Sequence, residues 1–272
     1  MKRILALTTI NNTIALKKAI ESIYSEYGKI VIIKKIYFDE YETPDIDLKP
    51  IYEEIEKADI ILVDIRGDIR LGRELPKILK DLKKTIVVLI AGTQKLFALT
   101  KMGKFNGEKI FSQETNKPFD IHAYVKAKRF SELTKKLGKI IPFGMLRDMR
   151  NWVITQQYYS EGDAENLKNM IHFLLKNYTD IRKIRKVPPP KRRPPFGLIL
   201  PNLKNPEFVN DLEKYKELMN FDPKKPTIGV LTYNGMHFAD TLPVACALYE
   251  YLKNETNFII VTSEVEYNIT AK

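Results

Sequence analysis

The side chains with the most chemical potential lie in two short stretches. One is Asp64-Ile65-Arg66-Gly67-Asp68, and the other is Asn234-Gly235-Met236-His237-Phe238-Ala239-Asp240-Thr241. An imidazole close to a carboxylate and a hydroxyl can hold a ligand or move a proton near neutral pH. His237, with Asp240 and Thr241, is therefore the leading ligand-contact candidate. Asp64, Arg66 and Asp68 offer charges of both signs to a polar ligand or a partner. Plainer readings stand beside these. The charges of the first stretch can pair with one another and close a turn. His237 can pack or face solvent. Asp240 or Thr241 can cap a helix, with Pro243 in its first turn. The N-terminus of such a helix would favour a carboxylate or phosphate. No residue is assigned a catalytic role on these grounds.

Missing motifs narrow the chemistry. The chain has no G-x-G-x-x-G and no G-x-x-x-x-G-K-[ST], so ATP binding through a P-loop is not expected. Its three histidines, His122, His172 and His237, fall in no H-E-x-x-H, and there is no C-x-x-C. A dedicated metal site is accordingly not expected. Cys246, the single cysteine, lies within Val-Ala-Cys-Ala-Leu and reads as a small core residue. One cysteine forbids an internal disulfide, which suits a reducing compartment.

The elements that must position these residues follow from apolar spacing. Residues 3–7 read as a strand. Asn11, Asn12 and Thr13 offer caps to a helix in which Leu16, Ala19, Ile20, Ile23, Tyr24 and Tyr27 fall on one face, and Gly28 ends it. Further strands are expected at 30–37, 60–65 and 85–90, with helices at 48–57 and 75–82. Continuous apolar strands alternating with helices predict an open parallel sheet covered on both faces. Helices are then expected at 120–137, 145–158 and 163–177, with breaks at Gly138, Pro142 and Gly162. Tyr158, Tyr159, Glu165, Asn166 and Phe173 surround a helix start at Asp163.

Residues 186–195, Lys-Val-Pro-Pro-Pro-Lys-Arg-Arg-Pro-Pro, hold five prolines in ten positions and can be neither helix nor central strand. They read as a stiff linker or strap. Lys186, Lys191, Arg192 and Arg193 could grip an anion, but solvated linker charge is the default reading. Beyond it a strand is expected at 196–200, a helix at 207–219, a strand at 227–232, a helix at 241–252 and a strand at 257–262. The fold class is thus α/β: an open parallel sheet domain over 1–119, a helical segment over 120–185, a proline-rich basic linker over 186–195, and the start of a second α/β unit over 196–272. That last unit has few strands of its own. It must join the first sheet or await strands from elsewhere.

The net charge of +11 permits a polyanionic partner. Lysine is scattered along the chain, often beside glutamate, so a solvated surface is the better reading and nucleic acid is not favoured. No apolar run approaches the roughly 18 residues of a membrane span. The apolar stretch near the N-terminus is too short for a signal peptide. A cytoplasmic location away from membranes is expected.

Taken in order, these segments resemble one family. Residues 227–261, TIGVLTYNGMHFADTLPVACALYEYLKNETNFIIV, resemble the segment of chelatase large subunits in which a strand ends in an aromatic residue and a histidine-bearing loop leads to an Asn/Asp-Thr pair and a helix. Phe196-Gly197-Leu198, Pro201, Phe208 and Tyr215 are similar to the proline-led segment just before it. Leu200 stands where the family usually has histidine, a departure that weakens any metal or ligand role there. YYSEGDAENLKNMIHFL resembles the family's tyrosine, glycine and Glu-Asn helix, and ADIILVDIRGD with TIVVLIAG resembles two strands of its N-terminal domain. The family is that of the large, tetrapyrrole-binding subunits of ATP-dependent metal chelatases, of the cobaltochelatase CobN or magnesium-chelatase H type.

The resemblance implies metal insertion into a tetrapyrrole, as in cobalamin biosynthesis, with cobalt or magnesium as substrate. It implies that ATP is used by separate AAA+ ATPase subunits. Family subunits are several times longer, so the chain is expected to be an N-terminal fragment or one piece of a split subunit, inactive by itself. The other reading kept open is a non-enzymatic α/β ligand-binding or regulatory module.

Overall fold

The computed structural model describes residues 1–8, 13–43, 45–66, 69–91, 94–111, 144–203, 206–235 and 237–263. The helix expected at 120–137, the breaks at Gly138 and Pro142, and the residues Asp68 and His122 lie outside the described residues. The chain divides into two compact units. The first comprises Met1–Asn11, Ile20–Gln156 and Lys168–Pro189, and the second Asn12–Ala19, Gln157–Leu167 and Pro190–Lys272.

In the first unit, β1 (Lys2–Thr8), β2 (Val31–Tyr37), β3 (Ile60–Ile65) and β4 (Thr85–Ala91) form parallel pairs in the order β2-β1-β3-β4. Every residue of β3 is buried, as a central strand of a doubly covered parallel sheet must be. Helices α1 (Thr13–Tyr27), α2 (Lys49–Lys57) and α3 (Arg70–Leu79) alternate with these strands. Gly28 has φ +73° and donates its N–H to the Tyr24 carbonyl at 2.9 Å, which ends α1 where the sequence predicts. Ile51 and Ile55 of α2 join Leu71, Leu75 and Leu79 of α3 in a core with Leu5, Leu7, Val63 and Val88. The expected start of α3 at residue 75 is too late. Pro76 lies inside the helix, where burial of leucines at every fourth position outweighs the missing N–H.

Two features of this unit escape apolar periodicity. The first is a small antiparallel extension of the sheet, β5 (Lys101–Met102) and β6 (Phe105–Asn106), flanked by the short helices α4 (Gln94–Phe97) and α5 (Glu108–Phe111). It is tied to α6 (Met145–Glu161) and α7 (Ala164–Tyr178) through Asp148. That buried carboxylate accepts from Lys104 N at 2.8 Å, from Arg147 at 2.7 and 3.0 Å and from the Tyr178 hydroxyl at 3.2 Å. The second is a register shift between β3 and β4 after Val63, beside which the Val88 carbonyl accepts from Trp152 Nε1 at 3.1 Å and Gln156 Nε2 at 2.6 Å.

Part of the lysine excess terminates helices. Lys84 Nζ donates to the carbonyls of Ile55, Glu56 and Ala58 at the end of α2, and Lys101 Nζ to those of Leu79, Lys80 and Leu82 at the end of α3. These carbonyls lie in or just beyond the last helical turn, at the negative end of the dipole; those of Ile55 and Leu79 also accept from Ala58 N at 3.4 Å and Leu82 N at 3.3 Å.

The second unit contains β7 (Phe196–Ile199), β8 (Phe208–Val209), α8 (Leu212–Leu218), β9 (Thr227–Tyr233), α9 (Phe238–Leu252) and β10 (Asn257–Ser263). Its sheet has the order β8-β7-β10-β9, with β9 and β10 parallel and the other pairs antiparallel. The expected helix over 207–219 is shorter. Phe208 and Val209 pair with β7, and Asp211 then caps α8 by accepting from Lys214 N at 2.7 Å. Phe258 and Ile260 of β10 face α9, and Ile259 and Val261 face the cluster around Tyr215 of α8. The buried Tyr215 hydroxyl donates to the Ile199 carbonyl and accepts from Ile260 N, each at 3.2 Å.

Strand β9 is an edge strand of this sheet. Ile228 and Val230 pack toward α9, while Gly229, Leu231 and Tyr233 on the alternate face are exposed, Leu231 at 76%.

Two outcomes are expected. Gly103 has φ +56°, and a Cβ there would lie 2.4 Å from Asp148 Oδ2. Gly103→Ala should lower stability by about 2 kcal/mol in urea unfolding. Buried His172 packs edge-on against Tyr27, and burial holds its pKa below the ordinary value, with Glu26 opposing and Lys168 reinforcing the shift. Above about pH 6.5 both folded and unfolded states carry it neutral and stability is full. As pH falls the unfolded chain takes up the proton first, so stability declines. His172→Phe should flatten that acid slope in urea titrations at a series of pH values.

Candidate functional site

The loop joining β9 to α9 carries the imidazole singled out from the sequence. Helix α9 begins at Phe238, earlier than the expected residue 241, because the Phe238 N–H closes a turn onto the Gly235 carbonyl at 2.9 Å. His237 therefore takes the N-cap position, with no cap bond from its side chain. Asp240 and Thr241 are inside the first turn and cap nothing, and Pro243 lies deeper in the helix than expected. Asp240 still meets the positive end of the helix dipole. The Thr241 hydroxyl donates to the His237 carbonyl at 3.1 Å. His237 Nδ1 is 3.9 Å from Asp240 Oδ2, and both side chains are partly exposed. The Tyr233 ring is 6.1 Å from the imidazole. The structure thus gathers His237, Asp240 and Thr241 at the carboxyl end of a parallel strand, the usual place for ligands in α/β sheets.

What holds this loop is a residue assigned above to solvated linker charge. Arg193, in the proline strap, has a side chain only 14% exposed. Its Nε donates to Asn234 Oδ1 at 3.0 Å and its Nη2 to the Gly235 carbonyl at 3.0 Å. Nη2 also reaches the Glu161 carbonyl and lies 3.3 Å from Glu161 Oε2, while Nη1 donates to Asp163 Oδ2 at 3.2 Å. The guanidinium stacks over the Phe238 ring at 4.5 Å. Burial raises the pKa of the Glu161 carboxyl, and Arg193 and Arg192 pull it back down. Lys191 and Arg192 conform to the solvated reading: both are exposed, at 3.8 and 3.9 Å from their carboxylates.

Two side-chain amides fasten the strap further. Asn166 donates Nδ2 to the Lys191 carbonyl at 2.9 Å and accepts from Lys191 N at 3.0 Å. Asn234 donates Nδ2 to the Pro194 carbonyl. Asp163 caps α7 by accepting from Asn166 N at 2.9 Å, as the sequence predicts. The signal that could have exposed Arg193 is the pair Glu161 and Asp163 flanking Gly162. Two acidic groups at a helix–helix corner need a cation, and the nearest in the strap is not adjacent in sequence.

In the first unit, Asp64 and Arg66 lie at the carboxyl end of β3. Asp64 is the register partner of Thr8 on β1. Sheet order reverses between these two strands, which marks the topological switch point. Asp64 is buried, and Arg66 Nε stands 3.5 Å from its Oδ1, so the two charges pair as the plainer reading predicts. Cys246 is a buried member of the α9 core, and burial raises its thiol pKa. Leu200 packs against the cluster of Leu198, Val209 and Tyr215.

Residues 156–271 match the family model described as CobN/Magnesium Chelatase. Over this stretch the chain is similar to the CobN/magnesium chelatase family. The segment takes in Glu161, Asp163, Asn166, Arg193, Asn234 and His237 through Thr241, whereas Asp64 and Arg66 lie before it. The chain is also similar to the catalytic subunit of cobaltochelatase from Mycobacterium tuberculosis, with 15% identity and a TM-score of 0.41. That likeness covers 97% of this chain and 16% of the other, so the chain spans a small part of that subunit's length. No curated protein is similar enough to register as a relative. Among the described residues, no helix is long and apolar enough to cross a membrane, and no three His, Cys, Asp or Glu side chains gather as a metal-binding group.

Within residues 156–271, Glu161→Ala would leave Arg193 buried beside one remaining carboxylate. Truncating one member of a buried pair should cost about 3 kcal/mol in urea unfolding. Glu165→Ala, which breaks only the exposed contact to Lys191, should change little.

Proposed function

We propose that this chain serves metal insertion into a tetrapyrrole, as one portion of a cobaltochelatase-type large subunit that is not catalytic alone. The observation that carries this reading is the family match over 156–271, because that stretch contains the entire strap-and-loop assembly around Arg193 and His237. The bare face and edge of β9 support it as well. A strand of this kind is completed by a neighbouring strand and its helix, supplied here by a further portion of such a subunit.

Insertion replaces two pyrrole N–H protons with one divalent cation, so a proton acceptor close to the macrocycle is required. His237 is the group offered for contact with the ring or its side chains. Asp240, whose Oδ2 lies 3.9 Å from the His237 Nδ1, and Thr241 are offered as the groups that orient the loop. Cobalt or magnesium is the substrate, and the energy comes from ATP hydrolysed on AAA+ partner subunits. Asp64 and Arg66 are offered as contacts to ligand or partner at the switch point of the first sheet. The cytoplasm, where both cofactor synthesis and a lone reduced cysteine are at home, is the proposed location.

Absorbance titration with a metal-free porphyrin or a corrin precursor tests the reading, both with this chain alone and with a co-expressed C-terminal portion of a large subunit. A spectral shift that saturates, and that His237→Ala weakens about tenfold, is expected. No shift in either preparation sinks the proposal.

A further inference from the structure

We propose that Arg193 is the positioning residue of the β9–α9 loop: it determines how His237 is presented by locking that loop to the proline strap and to the corner between α6 and α7. The lock itself is a property of the second unit, and it rests on the functional reading above only where ligand is concerned.

The contacts divide evenly between the two things joined. Toward the loop, the guanidinium reaches Asn234 Oδ1, the Gly235 carbonyl and the face of Phe238. Toward the corner, it reaches the Glu161 carbonyl and carboxylate and the Asp163 carboxylate. These residues bracket His237 on both sides, since Asn234 and Gly235 precede it and Phe238 follows it. A planar fork with five donors can serve both groups at once. A lysine at the same place is a single point charge. It can stay with the carboxylates but cannot also hold the loop.

The loop is otherwise tightly constrained. Asn234 N donates to the Ser263 carbonyl at 3.0 Å, and a Cβ on Gly235 would meet the Tyr233 ring at 2.4 Å. The strap beside it is stiffened by Pro194 and Pro195, so ordering it costs little chain entropy. The His237 carbonyl accepts from Asp240 N at 3.0 Å and Thr241 N at 2.9 Å, whereas its side chain makes no cap bond and lies 3.9 Å from Asp240 Oδ2. The presentation of its side chain is therefore inherited from the residues that flank it, and Arg193 holds Asn234 and Gly235 before it and Phe238 after it.

Amide hydrogen exchange on the full chain tests this. In Arg193→Met, the amides of Asn234, Phe238, Asp240 and Thr241 should exchange about tenfold faster or more, as loss of charge-assisted bonds implies. The amides of Phe258 to Val261 on β10 should be unchanged. Arg193→Lys should give an intermediate rate, because it restores the pairing to Glu161 and Asp163 but not the bonds to the loop. Unchanged loop exchange in Arg193→Met overturns the proposal. So does a uniform rise across the second unit, which is the signature of a buried ion pair with only a structural role. Should Arg193→Met fail to fold, Asn234→Ala leaves the pairing to Glu161 intact and must still show the local rise; unchanged exchange there overturns the proposal equally. A porphyrin titration separates the two readings. A wild-type chain that binds no porphyrin removes the chelatase reading and leaves the exchange result standing. A wild-type chain that binds, alongside an Arg193→Met chain that binds equally well, shows that loop presentation is not set by Arg193.

Discussion

The buried guanidinium of Arg193 is the constraint on which the second unit is organised. Its surroundings are acceptors that cannot all be satisfied by water: two backbone carbonyls, an amide oxygen and two carboxylates. Glu161 is almost fully buried, and such a carboxylate is stable in ionised form only beside a cation. Arg193 in turn is stable at its depth only with those acceptors. Each therefore requires the other. Because they come from a helix end and from the proline strap, the pair brings together chain segments far apart in sequence. The β9–α9 loop is the third segment drawn in, through Asn234, Gly235 and Phe238, beside a histidine whose side chain makes no cap bond.

The same use of charge governs the first unit. The net charge of +11 suggests a basic surface in search of an anion. Lys84 and Lys101 are turned inward onto the carbonyl ends of α2 and α3, where the helix dipoles are negative. Asp148, fully buried, plays the opposite part, gathering a backbone N–H, a guanidinium and a phenol around a hairpin whose Gly103 has no side chain to obstruct it. Charges that would be solvated in an extended chain become the fastenings of loops and helix ends.

The two sheets differ in how their faces are covered. In the first, β3 is buried along its whole length, as two covered faces demand. In the second, α8 and α9 cover opposite faces of β10, but on the α8 side β9 is left with Leu231 and Tyr233 in the open. An edge strand with apolar side chains on a bare face is costly to leave unpaired. That is the physical basis for reading the second unit as part of a larger sheet assembly.

Sequence alone determined the parallel strands and most of the helices. Burial on both faces demands unbroken apolar runs such as Ile60–Ile65, and amphipathic helices announce themselves through repeats such as Leu16, Ala19, Ile20 and Ile23. Local chemistry was equally legible where it acts within a few residues, as at Gly28 and Asp163. The grouping of His237, Asp240 and Thr241 was visible for the same reason. Elements of two residues, such as β5, β6 and β8, carry too little periodicity to be read. The tertiary structure alone decided which charges are solvated and which are buried. Lys191, Arg192 and Arg193 are consecutive and chemically similar, yet only Arg193 points inward. Its partners come from the α6–α7 corner and from a loop 41 positions along the chain, and contacts at that separation leave no local pattern.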